Sequence, residues 1–208
     1  MDEKIVILDY GMGNVGSIQN MLKHIGFSAL ISGEIEDIKS ADKLILSGVG
    51  AFDSGMKNLS NLGFLEALNV RVLQNKTPVL GICLGMQLFS RTSEEGKSSG
   101  LGWIDAVTVK FSFSGQSTPF KVPHMGWNTL NIPKPHPLLA DMPEDMRFYF
   151  VHSYHVQCRN EGNSIATTCH GYDFTSVVAK ENIYGVQFHP EKSHKFGMKL
   201  LHNFMNLR

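Results

Sequence analysis

The sequence predicts an α/β fold with a mostly parallel central sheet, flanking helices and additional antiparallel strands. In the first half, short apolar runs alternate with amphipathic stretches, a pattern typical of parallel strands joined by helical crossovers. After residue 102, aromatics, proline, histidine and threonine increase and period-2 runs appear, which favours antiparallel additions and hairpins. A chain of 208 residues fits one globular domain, and no linker or internal repeat divides it. We therefore expect a single domain over residues 1–208.

The individual elements follow from the hydrophobic periodicity in chain order. Residues 4–8 read KIVIL, a short β-branched run that suits a strand covered on both faces. Similar runs predict strands at 28–31, 43–46 and 78–82, and helical spacing predicts helices over about 17–24, 53–59, 63–74 and 84–90. Period-2 runs predict further strands at 105–110, 147–152, 164–168 and 176–179. A strand over 183–188 and a helix over about 192–207 close the chain.

The composition argues against several classes of protein. Lys and Arg number 19 against 19 Asp and Glu, with a pI near 7.1, so neither nucleic acid nor an anionic membrane is expected as a partner. No run approaches the roughly 18 consecutive apolar residues of a membrane span. The acidic start at Asp2 and Glu3 does not resemble a signal peptide. Three widely spaced cysteines form no disulfide framework, so we expect a reduced, cytoplasmic protein.

A cysteine flanked by glycines stands where a buried strand becomes a helix. The segment reads Gly81-Ile82-Cys83-Leu84-Gly85, which is the cysteine version of a nucleophile elbow. Glycines remove the Cβ atoms that would clash in so sharp a turn, and the amides of the following helix favour a thiolate. The alternative is a small buried hydrophobe at a strand end. The flanking glycines and the change of element favour Cys83 as a nucleophile.

A cysteine nucleophile needs a base, and the base needs a group that orients it. His189 ends an apolar run, which in a parallel sheet places it at the same carboxyl edge as Cys83. Glu191 is close enough in sequence to accept from the imidazole; the alternatives are a loop histidine and an acid in a first helical turn. A third loop, Ser47-Gly48-Val49-Gly50, offers amides to an oxyanion beside the N–H of Leu84. The set predicts a cysteine acyl-transfer site.

A second glycine motif competes with this interpretation. Between the first strand and helix stands a literal G-x-G-x-x-G, Gly11-Met12-Gly13-Asn14-Val15-Gly16, with Glu34 or Glu36 about 20 residues on. This context is the one a dinucleotide site requires. The alternative is a tight turn whose glycines allow positive φ and whose amides cap the helix. Metal is not expected, because His189 and His194 lack the i,i+4 spacing of a zinc helix and no ligand cluster surrounds them.

Two motifs, Gly81-Ile82-Cys83-Leu84-Gly85-Met86-Gln87 and His189-Pro190-Glu191, resemble the class I, triad-type glutamine amidotransferase domain, whose sheet is flavodoxin-like. Further segments narrow the resemblance to the glutaminase subunits of imidazole glycerol phosphate synthase: Tyr10-Gly11-Met12-Gly13-Asn14, Gly48-Val49-Gly50, Pro123-His124-Met125-Gly126-Trp127-Asn128 and His189-Pro190-Glu191-Lys192-Ser193. The match covers essentially the whole chain. It accounts for the G-x-G-x-x-G as a family loop, so no cofactor is expected.

The resemblance implies hydrolysis of L-glutamine to glutamate and ammonia by a triad of Cys83, His189 and Glu191. It places the oxyanion hole at the amides of Val49 and Leu84. It implies that four positions hold the substrate: Gly50, Gln87, Ser153 and Tyr154. Ammonia would pass to a (β/α)₈-barrel cyclase subunit in a heterodimer that makes imidazole glycerol phosphate and an aminoimidazole carboxamide ribotide. The positions that would face this partner are Asn14, Pro123, Met125, Trp127 and Lys192.

Two departures keep alternatives open. The family usually has proline where Ser47 stands, which would make the oxyanion loop less rigid. Tyr10-Gly11 and the segment from Glu191 to Gly197 also resemble paralogues that supply ammonia for sugar amidation in surface-polysaccharide biosynthesis. A stand-alone cysteine hydrolase and a dinucleotide-binding module remain as further hypotheses, separable by their dependence on a partner and on Cys83.

Overall fold

The computed structural model describes residues 3–113 and 120–207. The strands in this part of the chain are β1 Ile5–Leu8, β2 Ala29–Ser32, β3 Lys43–Gly48, β4 Val79–Cys83, β5 Thr92–Ser93, β6 Ala106–Lys110, β7 His124–Asn128, β8 Phe148–His152, β9 Tyr154–Cys158, β10 Ser164–His170, β11 Tyr172–Lys180 and β12 Ile183–Val186. The α-helices are α1 Val15–His24, α2 Ile35–Ser40, α3 Phe52–Asn61, α4 Phe64–Asn69, α5 Leu84–Leu88 and α6 His194–Met205. A π-helical turn, Val70–Gln74, continues α4, and short 3-10 turns lie at Pro137–Leu139, Glu161–Asn163 and Pro190–Lys192.

Most of the strands form one mixed sheet in the order β2-β1-β3-β4-β12-β11-β9-β6-β5, with β10 paired to β11. From β2 to β12 all neighbours are parallel, and β12-β11, β11-β9 and β9-β6 are antiparallel. Strands β7 and β8 form a separate antiparallel pair. The predicted fold class is therefore confirmed, including the change from parallel to antiparallel pairing in the second half.

The parallel strands are buried on both faces because alternate residues pack against different helix layers. Ile5 and Ile7 of β1 belong to one core with residues of α1 and α6, whereas Val6 and Leu8 belong to a second core with residues of α2, α3, α4 and α5. This arrangement leaves the carboxyl ends of the strands free to carry loops. No helix in the described ranges has both the length and the apolar character to cross a membrane.

Several boundaries differ from the sequence-based prediction. Helix α2 and strands β7 and β9 were not predicted; α2 has only six residues, too few for a clear helical period. The predicted helix over 63–74 is α4 followed by the π-helical turn. The last helix begins at His194, two residues later than expected, because Pro190–Lys192 form a 3-10 turn.

Candidate active site

Cys83 occupies a strained turn between β4 and α5. Its backbone has φ +54 and ψ −108, a conformation that residues with a Cβ rarely adopt. A Cβ on Gly81 would lie 2.7 Å from the Met86 amide nitrogen, and one on Gly85 would overlap the carbonyl of Leu46. Both flanking glycines are therefore sterically required. The prediction of an elbow at this position agrees with the geometry.

Three strand ends meet at this turn. Gly48, the last residue of β3, pairs with Cys83. On the other side, Val186 of β12 pairs with Ile82, so that the residue after β12, Gln187, follows alongside Cys83. His189 lies further along the same chain segment. The carboxyl edge of the parallel sheet thus brings together the predicted nucleophile, the predicted oxyanion loop and the predicted base, as strand order requires.

His189 and Glu191 form a buried pair. The Nδ1 atom of His189 is 2.7 Å from the Oε1 atom of Glu191, and both side chains are only 1% exposed. The His189 backbone is held by its amide on the Tyr149 carbonyl at 2.9 Å. Its carbonyl accepts from the Ser193 hydroxyl at 2.6 Å. The imidazole is therefore fixed in one orientation, with Nδ1 committed to the carboxylate.

The surroundings of His189 favour its charged form. Burial by itself lowers the pKa, but interactions with Cys83 and Glu191 outweigh it and raise the pKa to about 10. Among the described residues, Nε2 of His189 has no partner that meets full hydrogen-bonding geometry, although the Cys83 sulfur is near enough to raise the pKa of the imidazole. The free Nε2 position is where a proton donor or acceptor is needed for acyl transfer.

A cleft of about 520 Å³ opens over Cys83. It gathers all the predicted oxyanion and substrate positions, which come from three separate segments: Val49, Gly50, Leu84, Gln87, Ser153 and Tyr154. Of the predicted partner-facing residues, Pro123 lines the same cleft. Four lining residues were not predicted: Ala51, Glu95, Val151 and His152. His189 and Glu191 are not among the lining residues.

The sequence did not predict a network of side-chain amides that joins the cleft lining to Gln187. Gln87 donates through Nε2 to the Tyr154 carbonyl at 2.9 Å and to Oε1 of Gln187 at 3.1 Å. Gln187, which is fully buried, donates through Nε2 to the sulfur of Cys83 at 3.7 Å. The available signal was a polar residue inside the apolar run predicted as a strand over 183–188, two positions before His189.

The predicted partner-facing residues lie at the surface. Met125 and Trp127 of β7 are 62% and 46% exposed, and Trp127 stacks on His194 with ring centroids 5.6 Å apart. Lys192 is exposed and places its ammonium 5.7 Å from the Tyr149 ring. Exposed Asn14 caps α1 by accepting from the Ser17 amide at 3.4 Å. Asn14 thus has a local structural role besides the predicted one.

The loop that carries the G-x-G-x-x-G packs closely against the end of β3. A Cβ on Gly13, which has φ +91, would lie 2.9 Å from the Ser47 carbonyl oxygen. Ser47 itself is buried, and neither its hydroxyl nor that of buried Tyr10 has a partner among the described residues. Close packing explains the glycine at position 13 without a bound phosphate. Within the described ranges, His, Cys, Asp and Glu form no group of three able to hold a metal.

A second set of buried histidines lies beside the cleft. Nδ1 of His152 is 2.8 Å from the Tyr154 carbonyl, which makes it a donor and leaves Nε2 as an acceptor. Nδ1 of His124 is 3.0 Å from that Nε2, and Nε2 of His124 is 3.2 Å from Nδ2 of Asn128. The chain of contacts is consistent with neutral imidazoles throughout. Burial lowers the pKa of His124 to about 4 and that of His152 well below its usual range.

Comparison with known proteins yields a family match and close relatives. The model of the family described as glutamine amidotransferase class-I matches residues 6–207. A protein of Methanococcus maripaludis, "Imidazole glycerol phosphate synthase subunit HisH 2", is 58% identical over 201 residues, covering 97% of this chain and 98% of the relative. A Pseudomonas aeruginosa protein with the same description is 48% identical, with 98% of this chain and 99% of the relative covered.

Solved structures resemble the fold at lower identity. A structure described as PurLQS from Thermotoga maritima superimposes with a TM-score of 0.73 at 15% identity, covering 99% of both chains. A glutamine amidotransferase crystal structure gives a TM-score of 0.71 at 18% identity, covering 96% of both chains. At such identities the likeness establishes the fold alone.

Proposed function

Because the chain belongs to the class-I glutamine amidotransferase family, we propose that it is the glutaminase subunit of an imidazole glycerol phosphate synthase, acting in histidine biosynthesis. The observation that carries the glutaminase chemistry is the elbow cysteine, Cys83, set in one cleft beside the buried His189–Glu191 pair. The choice of pathway rests on relatives that bear the synthase name at 58% and 48% identity over almost their whole length. The sugar-amidation alternative rests on two short segments, whereas both of these relatives carry the synthase name.

The proposed reaction begins with the Cys83 thiolate and the His189 imidazolium. The sulfur attacks the side-chain amide carbon of glutamine, and the developing oxyanion accepts from the Val49 and Leu84 amides. His189 delivers its proton from Nε2 to the leaving nitrogen, which departs as ammonia and leaves a γ-glutamyl thioester. The neutral imidazole then takes a proton from water, whose attack releases glutamate and restores the thiolate. Glu191 stabilises the imidazolium at both stages.

The cleft walls support the assignment of substrate contacts. Gly50, Gln87, Ser153 and Tyr154 line the same cleft as Cys83, and the cleft volume of about 520 Å³ suits one glutamine molecule with water. The amide protons of Gln87 are used within the protein, so its carbonyl oxygen is the atom left for the substrate.

For the ammonia acceptor we propose a cyclase barrel subunit that docks over the mouth of the cleft in a heterodimer, in the cytoplasm. Pro123 lines the cleft and begins the segment that continues into β7. Met125 and Trp127 then present large apolar surfaces to solvent, as interface centres do. Asn14 and Lys192 would contribute polar contacts at the rim of this interface.

The test is glutamate release from glutamine, with and without the same organism's cyclase subunit and its nucleotide ligand. We expect strong stimulation by the partner and loss of activity in Cys83→Ala. Cys169→Ala, at an exposed cysteine, is the matched control and should keep activity. Activity that persists in Cys83→Ala would mean that the nucleophile is misplaced.

Other outcomes separate the remaining hypotheses. Glutaminase activity with no response to the cyclase would point to another acceptor, such as a sugar-amidation partner. Hydrolysis of glutamyl peptides without any partner would support a stand-alone hydrolase. Binding of NAD or flavin that survives Cys83→Ala would support a dinucleotide module.

A further inference from the structure

Gln187 has an environment that packing alone does not explain. It is a polar side chain with no exposed surface, and burying an amide is costly unless its hydrogen bonds are satisfied. Both ends of its amide are engaged: Oε1 accepts from Gln87 and Nε2 points to the sulfur of Cys83. The parallel register between β4 and β12 places it there, since Val186 pairs with Ile82.

The orientation of this amide is set by a backbone group that cannot be reversed. The Tyr154 carbonyl is an acceptor only, so the atom of Gln87 that contacts it at 2.9 Å must be the NH₂ group. The same NH₂ group faces Gln187 at 3.1 Å, and an acceptor is required opposite it. Gln187 must therefore present its oxygen to Gln87 and its nitrogen to Cys83. The hydrogen-bond partners alone therefore require that the donor end of the Gln187 amide face the sulfur.

We propose that Gln187 is a positioning residue for the nucleophile: it donates an N–H to the Cys83 sulfur, which favours the thiolate and holds it in the orientation for attack. The inference rests on the proposed glutaminase function and deepens it. A hydrogen bond to a charged acceptor is stronger than one to its neutral form. Loss of the donor therefore shifts the thiol–thiolate equilibrium towards the thiol. Gln187 acts through Cys83, because it does not line the cleft.

Gln87 extends this arrangement to the substrate cleft. It lines the cleft and is bonded to both Tyr154 and Gln187, so the sulfur, the two amides and the cleft wall are one connected unit. A variant of Gln187 that keeps the acceptor for Gln87 should consequently affect turnover more than glutamine binding.

The test compares Cys83 reactivity in the wild type, Gln187→Met and Gln187→Glu. The three proteins compared all carry Cys158→Ala and Cys169→Ser, so that Cys83 is the one thiol present; 'wild type' here means wild type at position 187. Methionine keeps the volume and removes both the donor to the sulfur and the acceptor for Gln87. Glutamate keeps the acceptor for Gln87 and places an oxygen against the sulfur. The control is Gln157→Met, at an exposed glutamine of β9.

The measurement is the rate of alkylation by iodoacetamide as a function of pH, with kcat and KM for glutamine measured beside it. In Gln187→Met the alkylation midpoint should rise by about one pH unit, which is about tenfold less thiolate below the midpoint. Gln187→Glu should raise it further, and Gln157→Met should leave it unchanged. In the Gln187 variants, kcat should fall by about tenfold at neutral pH, and the fall should diminish at alkaline pH. KM should change little in Gln187→Glu, which keeps the acceptor for Gln87.

A second measurement on the unaltered side chain guards against misfolding of the variants. The side-chain NH₂ protons of Gln187, followed by NMR, should titrate with the same midpoint as alkylation of Cys83, whereas those of Gln157 should not. Unchanged alkylation midpoints in folded variants, or a Gln187 NH₂ signal that ignores the state of Cys83, would overturn the proposal. The variants could show these shifts while the wild-type protein releases no glutamate. That result would leave this inference standing and overturn the proposed function instead.

Discussion

His189 and the cluster of His124, His152 and His155 are all buried, yet their pKa values are shifted in opposite directions. His189 is 1% exposed, and His124, His152 and His155 are 4%, 6% and 6% exposed. The pKa of His189 is raised to about 10, whereas those of His124 and His155 are lowered to about 4. Burial lowers the pKa in every case, so burial does not decide the outcome.

The neighbours make the difference. His189 has the Glu191 carboxylate at 2.7 Å and the Cys83 sulfur on its other side. The other group lies among rings: the centroid of Phe111 is 4.7 Å from that of His155 and 5.2 Å from that of His152. His155 contacts the Tyr172 hydroxyl at 2.8 Å, and Glu94 raises its pKa only slightly against the effect of burial. A carboxylate in contact keeps an imidazole charged, and aromatic rings with neutral hydrogen-bonding groups do not.

The largest expected effect comes from removing that carboxylate. Glu191→Gln keeps the hydrogen bond to Nδ1 but not the charge, so the pKa of His189 should fall, with Cys83 left as the neighbour that raises it against burial. We expect kcat for glutamine hydrolysis to fall by about 10³- to 10⁴-fold, the size of effect seen when the acid of a Ser-His-Asp triad becomes an amide. The measurement is glutamate release with the partner subunit present.

Glu144→Gln is the control for this change, because Glu144 is an exposed carboxylate away from the site. It should have ordinary activity. A Glu191→Gln variant with near-normal kcat would show that the charge on this carboxylate is not needed, and would remove Glu191 from the triad.

His189 and the neutral histidines should also lower the free energy of unfolding at opposite ends of the pH range. His124 and His155 bind protons more weakly folded than unfolded, so their contribution is present above pH about 6.5 and is lost as pH falls towards 4. Each is expected to cost about 1–3 kcal/mol over that range. His189 binds its proton more tightly when folded, so its contribution is present at low pH and is lost as pH rises through about 10.

The measurement is the free energy of unfolding by urea as a function of pH. His155→Phe, which fits the aromatic surroundings, should reduce the slope between pH 6.5 and 4 by up to about 1.4 kcal/mol per pH unit. His24→Gln, at an exposed histidine of α1, is the control. If the slope were the same in His155→Phe as in the wild type, the acid limb would have another origin.

The sequence could indicate His189 and its partners, but not the neutral cluster of His124, His152 and His155. Cys83, His189 and Glu191 are signalled by local features, namely flanking glycines and the end of an apolar run, and strand ends meet at one edge of a parallel sheet whatever the details of register. The contact of Gln187 with Cys83 depends on the register of two strands separated by 104 positions. Register of that kind is set by the whole sheet.

The antiparallel half of the sheet was harder to predict from the sequence, because its contacts also depend on how distant strands pair. In β7, Met125 and Trp127 alternate with more polar residues, but the strand has five residues, contains Gly126 at φ +130 and follows Pro123, so the pattern is too weak to predict a strand. Pairing of β7 with β8, which places His124 opposite His152, is what assembles the neutral group. Nothing local to either histidine distinguishes it from a surface one.

The comparison can finally be sharpened by giving the neutral group a carboxylate. Asn128 Nδ2 is 3.2 Å from Nε2 of His124, so Asn128→Asp would place a charge at the contact that Glu191 makes with His189. The pKa of His124 should then rise from about 4 towards or above 6.5, at the cost of the bond from Asn128 to the Cys169 carbonyl. NMR titration of the histidine ring carbons measures this, with exposed Asn20→Asp as control. A His124 that still titrates near pH 4 would mean that the aromatic surroundings, rather than the missing carboxylate, keep the group neutral.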